Sequence, residues 1–318
     1  SAFVQMLTET EAAVRAVFGV DESIHVLFVA SATEAMERIL QNLVERSCYH
    51  IVNGAFSERF WQIGIELGKQ AQRCQLARGE GFLDASMLAA PDQEPELIAV
   101  TQNETSTGVL TPNEALASLR KRFPGALIAV DVVSCAPIVV PDFDVVDCCF
   151  FSVQKAFGLP PGLGVILLNE RCVDKANALQ MAGVPIGTFH SFPSLLQAAE
   201  RHQTPETPNS LALSLLGAVC KDLLEAGIDE LRRETKARAE RLYQFLEQTD
   251  LPPLVTVREY RSPTVIVGRG SSVVQNAERR GVLVAKGYGS HKADEFRIAN
   301  FSAHTEAELQ ELMRCLQL

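Results

Sequence analysis

The feature of this 318-residue chain that most restricts its fold is an alternation running from residue 24 to residue 168. Short, nearly continuous apolar runs (Ile24 to Ala30, His50 to Asn53, Leu97 to Thr101, Ala126 to Val130, Val145 to Val153 and Gly164 to Leu168) are separated by segments that mostly carry helical spacing. Strands that are apolar on both faces must be covered on both sides, and strand–helix alternation of this kind builds a mostly parallel α/β sheet with helices on both faces. Ligands of such sheets bind beyond the carboxyl ends of the strands. The residues just after each run are therefore the first place to look for chemistry.

The helices follow from caps and spacing. One is expected over residues 8–19, opened by Thr8-Glu-Thr-Glu11 and closed at Gly19. A second, over 31–44, starts directly after the first strand with Ser31, Ala32 and Thr33 at its N-terminus. Backbone N–H groups and hydroxyls there stabilise an anion, although a plain N-cap accounts for the same residues. Gly54 opens a third helix running to Gly68, and a fourth covers 112–122. Beyond residue 168 come a polar, Pro-rich segment from His190 to Ser210 and a long helical region from Leu211 to about Glu247, which changes character near Gly227. After Leu251-Pro-Pro253, short strands (255–257, 264–267, 296–299) alternate with helices (272–280, 305–316). The expected division is a large domain over 1–247 and a small α+β domain over 248–318.

Composition narrows the partners. A net charge of −10 gives the chain nothing with which to neutralise nucleic acid or an anionic membrane surface. No apolar run approaches the roughly 20 residues of a spanning helix. The eight cysteines show no C-x-x-C spacing and read as reduced, buried small hydrophobes, with no metal site. The opening Ser1-Ala-Phe-Val-Gln-Met6 lacks the basic region of a signal peptide, and the expected location is cytoplasmic.

Lys155 stands between two apolar runs, just before a turn rich in Gly and Pro. A lysine at the edge of an apolar run can have its amine pKa lowered, which suits Schiff-base chemistry with a carbonyl cofactor; a solvated strand end is the bland alternative. Asp131 closes another apolar strand, where a turn or helix cap is its bland reading, and Gln102-Asn-Glu-Thr-Ser-Thr-Gly108 is a polar cluster that needs water or a ligand. Phe56 and Trp61 would pass alone as core aromatics. Together, however, Ser31-Ala-Thr33, Phe56, Asn103-Glu-Thr105, Asp131 and Gln154-Lys155 meet the needs of pyridoxal phosphate. The phosphate needs N–H groups and hydroxyls, the ring a flat apolar cover, the pyridine nitrogen an anion, and the aldehyde an amine.

The segments Asn103-Glu-Thr105, Asp131, Ser152-Val-Gln-Lys-Ala-Phe-Gly-Leu-Pro-Pro-Gly-Leu-Gly164, Gln203-Thr-Pro205, Gly287-Tyr-Gly289 and Phe296-Arg-Ile-Ala-Asn-Phe-Ser-Ala-His304 also carry a resemblance. In their order, over nearly the whole chain, it resembles the class V (fold type I) pyridoxal-phosphate aminotransferases, most closely the phosphoserine aminotransferase-like branch. The resemblance implies that Lys155 attaches the cofactor and carries the substrate proton, and that Asp131 pairs with the pyridinium nitrogen. It implies that Thr105 bonds the phenolic oxygen, Phe56 stacks on the ring, and Ser31, Ala32, Thr33 and Gln154 hold the phosphate. Gln203 and Thr204 would reach the phosphate of a neighbouring subunit's cofactor, which implies a homodimer. Arg297 would grip the substrate α-carboxylate, with Tyr288 and His304 as weaker site candidates.

The implied reaction is transamination from phosphoserine to 2-oxoglutarate, of the serine-biosynthesis type. Alternatives are an aminotransferase of the serine or alanine–glyoxylate type, a desulfurase or lyase on the same fold, and a non-catalytic binding protein. Gln154 before Lys155 speaks against a desulfurase, which resembles this class but usually carries His there. Relatives hold a substrate phosphate partly through a His-Arg motif ahead of the first helix, and this sequence opens at Ser1-Ala-Phe-Val, about where that motif ends. The resemblance therefore leaves the phosphorylated substrate open.

Overall fold

The computed structural model describes residues 2–317; Ser1, where the N-terminal reading begins, lies outside them. The first half contains α1 (Ala2–Phe18), β1 (His25–Val29), α2 (Ala32–Leu43), β2 (Ser47–Val52), α3 (Ala55–Glu66), β3 (Gln70–Gln75), β4 (Leu97–Thr101), β5 (Asn103–Glu104), β6 (Val109–Leu110), α4 (Asn113–Arg122) and β7 (Leu127–Asp131). Then follow β8 (Cys148–Ser152), β9 (Gly164–Leu168), α5 (Glu170–Met181), α6 (Phe192–Ala199), α7 (Ser210–Glu225) and α8 (Ile228–Glu247). The last segment holds β10 (Val265–Arg269), α9 (Val273–Glu278), β11 (Ala285–Lys286), β12 (Glu295–Ala299) and α10 (Glu306–Leu316).

Seven strands form the main sheet in the order β1-β9-β8-β7-β4-β2-β3. The run from β8 to β3 is parallel, and β9 pairs antiparallel with both β8 and β1, so the sheet is mostly parallel as expected. Period-two alternation divides each central strand between two cores. On β4, Ile98 and Val100 face the layer of α1, α4 and α7, while Leu97 and Ala99 face that of α2, α3, α5 and α6. A third core joins α8 to the sheet β10-β12-β11 through Leu242, Leu246, Ile266 and Phe296, with α9 and α10 packed on it.

Several elements depart from the sequence expectations. Helix α1 begins at Ala2, not at residue 8. Thr8 bonds back to Val4 inside the helix, and Thr10 donates to the Leu213 carbonyl of α7 at 3.2 Å, so docking on α7 overrides the apparent cap. The polar edge strand β3 was not expected; its ladder bonds to β2 do not depend on apolar side chains. The Pro-rich segment contains α6, because Ser191 caps it and Pro193 falls in its first turn, where a missing N–H loses nothing. Helix α5 was also not expected, although Asn169 caps it. The long helical region is two helices, broken at Gly227 with φ +87°. Residues 255–257 form no strand; the chain there makes one bridge, Pro253 to Gly268, and the preceding prolines lack the N–H groups a ladder needs. Among the described residues no helix is long and apolar enough to cross a membrane, and no His, Cys, Asp and Glu group could hold a metal ion.

Candidate active site

The ends of β1, β4, β7 and β8 open on one cavity of about 330 Å³. Ser31, Ala32, Thr33, Phe56, Thr105, Asp131, Gln154 and Lys155 all line it, joined by Tyr288 from the small sheet's side. Ser31 caps α2, its Oγ accepting the Glu34 N–H at 3.1 Å, and Glu34 accepts the Ala30 N–H at 2.8 Å in return. This reciprocal cap fixes the first turn of α2. Gly164 lets β9 pass close behind: a Cβ there would lie 2.6 Å from the Ser31 carbonyl carbon. The glycine that ends the Lys155 block therefore also sets where Ser31 stands.

Asp131 ends β7 and Lys155 follows its parallel neighbour β8, which brings both head groups to the same sheet edge. Asp131 is buried, and Val133 N–H donates to its carboxylate at 2.9 Å. Burial is the main force that pushes its carboxyl up to about 7; the Glu104 charge adds to it, while the Val133 N–H and Lys155 oppose it. Lys155 is pulled below the usual lysine range, first by burial and then by the Arg297 charge, with Asp131 partly offsetting both. A lysine destabilised as a cation is more readily a free amine.

Phe56 is positioned by Glu104, the middle residue of the Asn103-Glu-Thr105 motif, to which sequence reasoning assigns no role of its own. Helix α3 starts at Gly54, which has no capping side chain, and its first N–H groups turn instead to Glu104. Glu104 is fully buried, and its Oε2 accepts from Phe56 N–H at 3.1 Å and Ser57 N–H at 2.9 Å. Its Oε1 takes both the N–H and the hydroxyl of Ser106. A Cβ on Gly54 would fall 2.4 Å from the Glu104 Cγ, so any larger residue displaces the carboxylate and with it Phe56. The signal was available, since a helix opening on glycine needs an acceptor from elsewhere.

Two buried oxygens on the cavity wall, Ser152 Oγ and Asn103 Oδ1, have no protein partner. An unpaired buried polar atom costs about 1–3 kcal/mol, and here both atoms border space that a polar ligand would fill. Arg59, one turn beyond Phe56, also lines the cavity and was not anticipated.

Other predicted residues stand elsewhere. Gln203 and Thr204 lie outside the cavity in the turn after α6, where Thr204 Oγ1 donates to the Glu206 carbonyl at 2.7 Å. Arg297, on β12, is not in the wall but is held beside it. Its Nε donates to the Lys286 carbonyl at 2.9 Å, and its guanidinium lies 5.5 Å from the Tyr288 ring, which itself sits 5.1 Å from Phe56. His304 borders a separate groove against α10 and accepts from Phe301 N–H at 3.0 Å. Trp61 donates to the Ala71 carbonyl at 2.8 Å, away from the cavity.

Comparison with known proteins adds to this geometry. The family model for aminotransferase class-V matches residues 1–291. An uncharacterized aminotransferase of Methanocaldococcus jannaschii is 26% identical, with 99% of this chain and 84% of that protein covered. A phosphoserine aminotransferase of Rhodococcus jostii is 27% identical, covering 86% of this chain and 74% of its own. Among solved structures, a phosphoserine aminotransferase from Cytophaga hutchinsonii superposes with a TM-score of 0.95 at 39% identity, over 99% of this chain and 88% of that one.

Proposed function

The chain belongs to the class-V aminotransferase family, and on that premise we propose that the cavity at the strand ends holds pyridoxal phosphate and that the amino donor is phosphoserine, with 2-oxoglutarate as acceptor. The observation that carries this reading is the pairing of a buried carboxyl, Asp131, with a desolvated amine, Lys155, in one cavity whose other end is a helix N-terminus. The unpartnered Ser152 and Asn103 oxygens fit a polar group in that space.

When bound, pyridoxal phosphate supplies a carbonyl that takes up the amino group and a ring that accepts electrons. The N–H groups at the start of α2, with Ser31, Thr33 and Gln154, would hold its phosphate, as helix N-termini hold anions. Phe56 would cover one ring face, and Thr105 would bond the phenolic oxygen. Asp131, as a carboxylate, would keep the pyridine nitrogen protonated. Lys155 Nζ would hold the carbonyl group until the substrate amine displaces it, and the freed amine would then take the proton from the substrate Cα and return it on the cofactor side. Arg297 would receive the α-carboxylate bidentately. The phosphoserine assignment draws on the 39%-identical neighbour of that name and on Arg59 and Arg297, two cations suited to a substrate with two anionic ends.

The test is a visible absorption titration of the holoenzyme with phosphoserine, glutamate, alanine and serine. The cofactor band should bleach with phosphoserine and glutamate and persist with the other two. Bleaching by alanine or serine, with no response to phosphoserine, would replace this donor by one of the glyoxylate-type pair.

A homodimer is part of the same reading. Gln203 and Thr204 lie outside their own subunit's cavity, and Phe189 and Leu211, on either side of that segment, are 54% and 70% exposed. Light scattering should give twice the 34.7 kDa of the chain. A fully active monomer would rule out a shared site.

A further inference from the structure

The strand that carries Arg297 is tied to the rest of the site by an ion pair between Glu295 and Arg78, and His291 also lies 3.9 Å from the Glu295 carboxylate. Along β12, Phe296 and Ile298 enter the small-sheet core, so alternation turns Glu295 and Arg297 to the opposite face. Glu295 is only 5% exposed, and its carboxylate is gripped on two prongs by Arg78, from the loop after β3. Arg78 Nε donates to Oε1 at 2.9 Å and Nη2 donates to Oε2. The same Nη2 also donates to the Ser106 carbonyl at 3.0 Å. Ser106 bonds Glu104, the carboxylate that holds Phe56. One guanidinium therefore links the Arg297 strand to the turn that places the ring cover.

Glu295 also acts through its backbone. Its carbonyl accepts the Gly287 N–H at 2.7 Å, which seats the segment leading into Tyr288. A Cβ at Gly287 would lie 2.2 Å from the His291 carbonyl oxygen and 2.8 Å from the Glu295 Cβ, so this close approach depends on glycine. Tyr288 in turn touches both Phe56 and Arg297. An ion pair taken largely from water contributes little net stability, because desolvation offsets the attraction; what a two-pronged pair supplies is geometry.

We propose that Arg78 is a positioning residue that sets the substrate-carboxylate affinity of the site: the Arg78–Glu295 pair fixes where Arg297 and Tyr288 stand relative to Lys155. This rests on the assignment of Arg297 to the α-carboxylate made above. An untethered Arg297 weakens binding of any amino acid donor, while Asp131 and Lys155, held by the main sheet, continue the chemistry at their own rate.

The experiment is steady-state kinetics of holoenzyme variants with L-phosphoserine and, independently, L-glutamate, which share the α-carboxylate. Arg78→Ala should raise KM about tenfold for both donors with kcat within about threefold, and Arg78→Lys should recover part of the loss. In an Arg297→Ala background, Arg78→Ala should change KM by less than about twofold, since the two act through one contact. Glu295→Gln, which keeps the shape but only one of the two acceptor oxygens facing Arg78, covers the case in which Arg78→Ala does not fold, and its KM should rise about threefold or more. If Arg297→Ala leaves KM unchanged, the carboxylate assignment itself falls. If Arg297→Ala raises KM but Arg78→Ala and Glu295→Gln leave it unchanged, or lower only thermal stability, the pair is structural and the proposal is wrong.

Discussion

Replacing Lys155 with alanine is expected to lower transamination about ten-thousandfold or more while leaving the fold intact. The argument is one of exclusion within the cavity. Of the ionisable side chains lining it, Arg59 is a delocalised guanidinium, Asp131 is a buried carboxyl, and Tyr288 is exposed at the rim. Only Lys155 offers an amine whose cationic form burial disfavours, so the proposed reading gives it both the attachment of a carbonyl and the proton transfer at Cα. The alanine side chain removes no packing from the sheet, because Lys155 lies after β8 and not within it. Single-turnover kinetics, with circular dichroism as the fold control, decides the matter. A residual rate within about a hundredfold of wild type would assign the proton transfer to another group.

The second large effect is at Asp131. Asp131→Asn should retain the cofactor but reduce turnover about a hundredfold or more, because an amide does not hold the pyridine nitrogen protonated. The same substitution should stabilise the cofactor-free protein at neutral pH. The carboxyl is raised from 3.8 to about 7 in the fold, so between those values the folded state binds more protons than the unfolded one. Stability therefore falls as pH rises across that window and levels off above it, by on the order of 4 kcal/mol in total. Asparagine has no charge to bury and can still accept the Val133 N–H. Urea unfolding of the two apoproteins should nearly coincide at pH 4 and separate by pH 8, with the variant more stable. A variant that is less stable at pH 8, or that turns over at near-normal rates, would contradict a buried anion acting as the ring's partner. For the wild-type apoprotein, cofactor affinity should strengthen as pH rises through 7 and the carboxylate forms.

Much of the main sheet is legible in local pattern. The runs Leu97 to Thr101 and Gly164 to Leu168 are apolar on both faces and became β4 and β9 with those bounds. Asp131 and Lys155 stand out because each is a charge set against an apolar strand, an arrangement that needs a reason wherever it occurs. Elements whose stability comes from a neighbour were harder to read. Helix α1 extends to Ala2 because α7 supplies a surface for it, and β3 exists because β2 offers it a ladder. Neither surface is visible in the residues of the element itself.

The α/β layering, the strand ends that open on the cavity and the residue types at those ends follow from local sequence, since each depends on neighbours within a few positions. The tertiary structure alone decided the electrostatics and the alignment of the site. Asp131 reaches a carboxyl pKa of about 7 because burial and Glu104 act on it together. Glu104 caps α3 across 48 residues, and Arg78 meets Glu295 across 217. Desolvation and charge pairing fall off over a few ångströms of space and take no account of separation along the chain, so they become readable only once the fold has brought distant segments together.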